Sequence, residues 1–151
     1  MANTQSMCTS FKQELLTGKH NFGVGVVRAS TTADSFKAAL YTAAATINAS
    51  TTAYTASGEV SGSGYTAVVV AVTMSTAPAT SGTTAFVTPS ANIVYTNVTL
   101  GTSFDAVLIY NSTQGNAAVS VHTFTPQTIT AGTLTLTMPV NDASTGLLRL
   151  V

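Results

Sequence analysis

The sequence predicts a mainly β protein, an antiparallel β-sandwich or jelly roll with a short N-terminal helix, and three observations carry that prediction. Turn-forming residues recur at intervals of roughly ten positions. They are Ser61-Gly-Ser-Gly64, Ser81-Gly82, Thr88-Pro-Ser90, Asn111-Ser-Thr-Gln-Gly-Asn116, Thr125-Pro126, Ala131-Gly132 and Asn141-Asp142. The runs between them are short and rich in β-branched and aromatic residues, which suit a pleated, half-buried surface. Helix punctuation occurs at a single place.

That place is 10–17. Ser10 can cap the first turn, Gln13 can reach back as its capping-box partner, and Gly18 can end the run. Phe11 and Leu15, four apart, share a face with Leu16 beside it. Strands are expected next at 22–28 and 35–42. The second of these is Ala-rich, yet Phe36, Ala38, Leu40 and Thr42 alternate with Lys37, Ala39 and Tyr41, a period of two. After a permissive Ala/Thr/Ser stretch at 43–58, strands are expected at 65–73, 84–88, 92–98, 106–110, 117–124, 133–138 and 147–151, which brings the count to eight or nine. Leu134, Leu136 and Met138 alternate with threonines, so that strand has one core face. The runs 68–72 and 107–110 are apolar on both faces and call for cover on two sides, from the rest of the fold or from another subunit.

A chain of 151 residues fits one domain with a core of its own. The polar leader 1–9 reads as an N-terminal arm, too polar for core and free to move or to reach a neighbour, with a single domain at 10–151. Charged residues are 7% of the chain and hydrophobic residues 45%. Thr, Ser and Asn supply the polarity, so the surface has little self-repulsion and invites cover by a partner.

Composition also excludes. Five Lys and Arg balance five Asp and Glu, so nucleic acid would release few counterions and is not an expected partner. The longest apolar run, 67–72, is far short of the ~20 residues that span a bilayer, and no membrane partner is expected. The opening residues lack the basic start and apolar block of a signal peptide, and the one cysteine, Cys8, permits no internal bridge. Synthesis in a cytoplasm is the expectation.

No motif for catalysis stands out. Gly18-Lys19 is followed by His20, and the position for the first glycine of a phosphate loop holds Gln13. Only His20 and His122 could serve as base, without a nucleophile elbow, and His122 lies in an alternating run that reads as a structural sheet face. Glu14, Asp34, Glu59, Asp105 and Asp142 are mostly placed on turns or the helix surface. Cys8 and His20 form no second metal-binding pair. The chain is therefore expected to be no enzyme and to hold no cofactor or metal. Lys12, Lys19, His20 and Arg28 gather positive charge in the first thirty residues. They read either as a solvated face or as a docking foot for an acidic partner surface.

Four segments together carry a resemblance: Met7-Cys-Thr-Ser-Phe-Lys-Gln-Glu-Leu-Leu-Thr-Gly-Lys-His-Asn-Phe22, Ser35-Phe-Lys-Ala-Ala-Leu-Tyr41, Gly58-Glu-Val-Ser-Gly-Ser-Gly-Tyr65 and Ala106-Val-Leu-Ile-Tyr-Asn-Ser112. The chain resembles small virion structural proteins of tailed bacteriophages and prophages. The resemblance implies a cement or decoration protein on the capsid surface, made in the host bacterial cytoplasm. Its implied partners are the major capsid protein and other copies of itself, as dimer or trimer. A tail, adaptor or fibre-associated virion protein is the alternative within that class. A β-sandwich carbohydrate-binding adsorption module is the alternative outside it, and the absence of Trp counts against that.

Overall fold

The dominant feature is one long, bent hairpin. In the computed structural model, which describes residues 3–16, 19–20, 22, 33–66, 70–74 and 77–151, the strands expected at 92–98 and 106–110 are continuous as one strand, Ile93–Asn111, and those expected at 117–124 and 133–138 fuse into another, Ala117–Leu136. In chain order the described elements are β1 (Ser6–Met7), α1 (Thr9–Leu16), β2 (Phe36–Thr42), β3 (Ala71–Val72), β4 (Ala79–Ser81), β5 (Thr84–Val87), β6 (Ile93–Asn111), β7 (Ala117–Leu136) and β8 (Leu148–Leu150). They form two antiparallel sheets, a larger one ordered β1-β7-β6-β2-β3 and a smaller one ordered β4-β5-β8. The mainly β, sandwich-type architecture is as the sequence predicts.

The expected breaks inside the long strands are bulges. Val98 pairs with Gly132 and Leu100 with Ile129, so β7 carries an extra residue there, at Ala131 with φ +45°. Between Leu100 and Phe104 the excess passes to β6 at 101–103, and between Phe104 and Ala106 it returns to β7 around Pro126. A proline has no N–H to give a ladder, and an unpaired bulge position is where it costs least. Gly, Pro and left-handed residues therefore bend the ladder without ending it.

The helix begins one residue before the expected 10–17. Ser10 is inside its first turn and caps nothing, its buried hydroxyl having no hydrogen-bond partner among the described residues. β2 is a central strand, with Phe36 and 38–41 buried, paired to β6 along its length and to β3 at Phe36 and Lys37. β4 was not expected: Ser81-Gly82, read as a break, is the corner of a tight β4–β5 hairpin with Gly82 at φ +57°. The strand expected at 22–28 lies outside the described residues except for Phe22. In the run expected at 65–73, positions 67–69 likewise lie outside them.

The leader expected as a free arm at 1–9 docks on the sheet over residues 3–8. Ser6 and Met7 pair with Val121 and Ser120, the Cys8 amide donates to Val119 O at 3.2 Å, and Cys8 is fully buried. Asn3 supplies the polar anchor: Oδ1 accepts from Ile47 N at 3.1 Å, and Nδ2 donates to Asp105 Oδ1 at 2.6 Å. Polarity here marks hydrogen-bonded edge backbone, which the sheet recruits as a fifth strand.

The core runs through Phe11, Phe36, Leu40, Tyr41, Ile47, Leu100, Phe104, Leu108, Ile109 and Tyr110, all essentially inaccessible to solvent. The two-faced run 107–110 is buried on both sides within the one chain. Tyr54 from the loop between β2 and β3 stacks on Tyr110 at 5.0 Å between ring centroids. Val107 and Ile109 look into a cleft shared with Leu134, Leu136 and Leu147. A second cleft, about 110 Å³, separates Met7, Phe11 and Leu15 from Phe86, Val87 and Leu148 of the smaller sheet.

Candidate functional site

Three polar constellations break the apolar interior. The first joins α1 to the β6–β7 loop. Glu14, on α1, receives Lys19 Nζ on Oε1 at 2.6 Å and His20 Nε2 on Oε2 at 2.5 Å. The other ring nitrogen of His20, Nδ1, is 3.0 Å from Asn111 Nδ2, which also donates to Asp34 Oδ2 at 2.8 Å. Gln114 Nε2 donates to Asp34 Oδ1 at 3.2 Å. Burial lowers the His20 pKa, outweighing the pull of Glu14. Burial acts to raise the Glu14 carboxyl, but the hydrogen bonds from Lys19 and His20 hold it below its ordinary value.

This constellation absorbs two of the four basic residues singled out from sequence. Lys19 is partly exposed and ion-paired, and His20 is buried with both ring nitrogens occupied, so it presents no imidazole at the surface. Lys12 lies on α1 between Phe11 and Gln13, and Arg28 lies outside the described residues. The structure therefore brings Lys19 and His20 together around one carboxylate.

The second constellation gathers tyrosines about Glu59. Gly58, at φ +81°, turns the backbone past Ala45, and Glu59 bridges to Tyr41 on the open edge of β2. Its carboxylate then accepts two phenols, Tyr54 on Oε2 and Tyr65 on Oε1, both at 2.6 Å. Short O–H···O⁻ bonds of this kind are the stronger class. The Tyr65 hydroxyl also accepts the Leu40 amide at 3.1 Å, which carries the chain of bonds into β2. Tyr65 stacks on Tyr95, whose hydroxyl donates to Ala38 O at 3.1 Å, and Tyr41 donates to Thr55 O at 2.5 Å. Burial raises every one of these phenols, with Glu59 adding to the effect, and Tyr41 and Tyr110 stand at about 12. Tyr41, Tyr54, Tyr65 and Tyr95 are hydrogen-bond donors locked in the neutral form, while the buried Tyr110 hydroxyl has no hydrogen-bond partner among the described residues. In the sequence Glu59 is one of five carboxylates that are mostly placed on turns or the helix surface. Its spacing of five and six from Tyr54 and Tyr65 fits neither helix nor strand and gave no signal.

The third pairs Ser120 with His122, two apart on one face of β7, with Oγ to Nε2 at 2.9 Å. A hydroxyl beside an imidazole is the geometry of a nucleophile and base. Here Ser120 is 1% exposed, and burial lowers the imidazole to about 4, far from a base poised near neutrality. No carboxylate among the described residues hydrogen-bonds the ring. The pair is sheet packing, the structural reading made from its alternation.

Among the described residues no cluster of three or more His, Cys, Asp or Glu could hold a metal ion, and no helix is long and apolar enough to cross a membrane. Comparison with protein-family models, with curated proteins and with solved structures returns no match.

Proposed function

We propose that the chain is a non-catalytic virion structural protein, a cement or decoration subunit that binds the major capsid protein and stabilises the head shell by multivalent contact. The observation that carries this reading is the surface of the long hairpin. Between Val60 and Asn141 the only formal charge is Asp105. On the outer face of the paired strands Val94, Thr96, Thr133 and Thr135 are all exposed. An uncharged face of hydroxyls and methyls packs against protein without stripping water from ions, and such contacts hold up as salt varies. Many weak contacts over a shell add as avidity. The resemblance of the four segments quoted above supplies the partner.

Self-association as dimer or trimer belongs to the same proposal, with Lys12, Lys19 and Arg28 as the contact to an acidic partner surface. An adsorption module would display aromatic platforms, yet each of the 5 Tyr and 6 Phe is buried or half-buried. Adding the protein to undecorated shells should raise their resistance to heat in proportion to occupancy, because a ligand that prefers the intact state stabilises it by mass action. Saturated shells that break as readily as bare ones would overturn the cement reading.

A further inference from the structure

The proton state of His20 is dictated by a residue 91 positions away. Asn111 ends β6, and its Oδ1 accepts the backbone N–H groups of Thr113 and Gln114 at 3.1 and 3.2 Å, closing the hairpin loop. Those two bonds decide which end of the amide is oxygen, so Nδ2 must face the other way. There it spends one hydrogen on Asp34 Oδ2 and the other on His20 Nδ1. Nδ1 is consequently bare, and the ring proton sits on Nε2, donated to Glu14.

A second proton has no acceptor among the described residues. On Nδ1 it would point at the amide N–H of Asn111. Turning that amide over would aim its NH2 group at the two loop N–H groups instead. We propose that His20 is an acid-sensing latch: protonation of its Nδ1 expels the Asn111 amide and frees the N-terminal segment, β1 and α1, from the β6–β7 hairpin.

Among the described residues, the groups around the ring come from every element packed on it. Glu14 faces it from α1 with Lys19 alongside, Asp34 precedes β2, and Asn111 and Gln114 come from the hairpin. Phe11 and Phe22 supply apolar walls at 4.8 and 6.0 Å between ring centroids. Glu14 and Asp34 favour a charged ring, Lys19 opposes it, and burial, the largest effect, opposes it too, so the folded pKa lies below 6.5. The fold accepts the neutral form. The contribution of the latch is therefore full above the ordinary value of 6.5 and is lost as pH falls below it through the folded pKa.

Cys8 gives the readout. It joins β1 to α1, is the only cysteine, and is fully buried while the segment is docked. The full-length protein is treated with an acid-tolerant aromatic disulfide, the rate at each pH being normalised to that of the urea-unfolded chain. Normalised labelling should rise about tenfold for each pH unit as pH falls from 6.5 to the folded midpoint, the slope of a single protonation, and level off below it. The near-UV signal of the buried tyrosines should persist through that rise. His20→Gln, which cannot titrate, should label at a pH-independent normalised rate, whereas His122→Gln should keep the wild-type midpoint. In the wild type, imidazole nitrogen NMR should show the Nε2–H form at neutral pH and titrate together with Cys8 exposure. The latch is overturned if the His20→Gln protein retains the wild-type pH dependence, or if His122→Gln abolishes it. It is equally overturned if His20 protonates with Cys8 still protected, or if the tyrosine signal collapses with labelling, since that is global unfolding. Should His20→Gln fail to fold, the wild-type NMR and labelling midpoints decide alone.

Discussion

Single side chains in this protein matter through what they leave unsatisfied. Replacing Glu59 by Gln keeps the shape but removes the charge that strengthens both phenol bonds. Hydrogen bonds to charged groups contribute about 1.5–3 kcal/mol each, and Gln retains one acceptor, so Glu59→Gln should lower stability by about 2 kcal/mol, read as a lower denaturant midpoint at unchanged slope. His122 makes a pH prediction of opposite kind to that of a salt-bridged histidine. Its folded pKa is depressed from 6.5 to about 4 by burial, so the unfolded chain binds the extra proton first. Stability should be full above 6.5 and fall between 6.5 and about 4 on acidification. His122→Gln, measured by thermal melts across that window, should flatten this part of the fall. Sequence made Asn111 legible as a turn residue, and its Oδ1 does close the turn. What it could not show is the other end of the same amide, because the bond to His20 spans 91 positions and no local spacing encodes it.

Elements were legible where apolar period and turn chemistry agree, as in β2, β5 and β8. They were misjudged where one residue type serves two ends. Pro126 and Ala131-Gly132 mark a departure from regular ladder, and a departure reads the same from sequence whether the chain turns back or bulges and continues. The ladder decides it, through pairings such as Val98 with Gly132 and Phe104 with Gln127. β4 was hidden because Ala79-Thr-Ser81 is exposed throughout and lacks alternation. The bulges also make room. The loop segment around Ser63 bridges to Thr99, where a Cβ on Gly62 would meet the Thr99 carbonyl oxygen and one on Gly64 the Asn97 carbonyl oxygen. Backbone cannot step aside as a side chain can. Gly62→Ala should cost about 1–3 kcal/mol in equilibrium unfolding, the range for forced overpacking, and a neutral result would mean the loop is not pressed on β6.

Across the whole molecule, stability is concentrated where β6 meets β2 and β7. Leu108 is fully buried at that junction, pairing with Ala39 and Val121. Leu108→Ala should cost about 2–5 kcal/mol, measured by denaturant titration, with the upper end expected if the covered sheet cannot collapse into the void. The N-terminal residues belong to this same body. Deleting 1–9 removes Cys8 from the core and strips Asp105, Thr42 and Ile47 of the Asn3 bonds. It should therefore lower the melting temperature by several degrees, as a loss of about 1–2 kcal/mol does in a domain of this size. An unchanged melt would restore the reading of those residues as a free arm.

The carboxylate that holds Tyr54 and Tyr65 has an optical consequence. The chain contains no Trp, so tyrosine emission is not masked by indole. A phenol hydrogen-bonded to a carboxylate hands over its proton in the excited state and returns little light. Tyr54 and Tyr65 should therefore be dim while the loop is seated and brighten when it lifts away. The molecule carries its own fluorophore for the seating of that loop, readable in solution without a label.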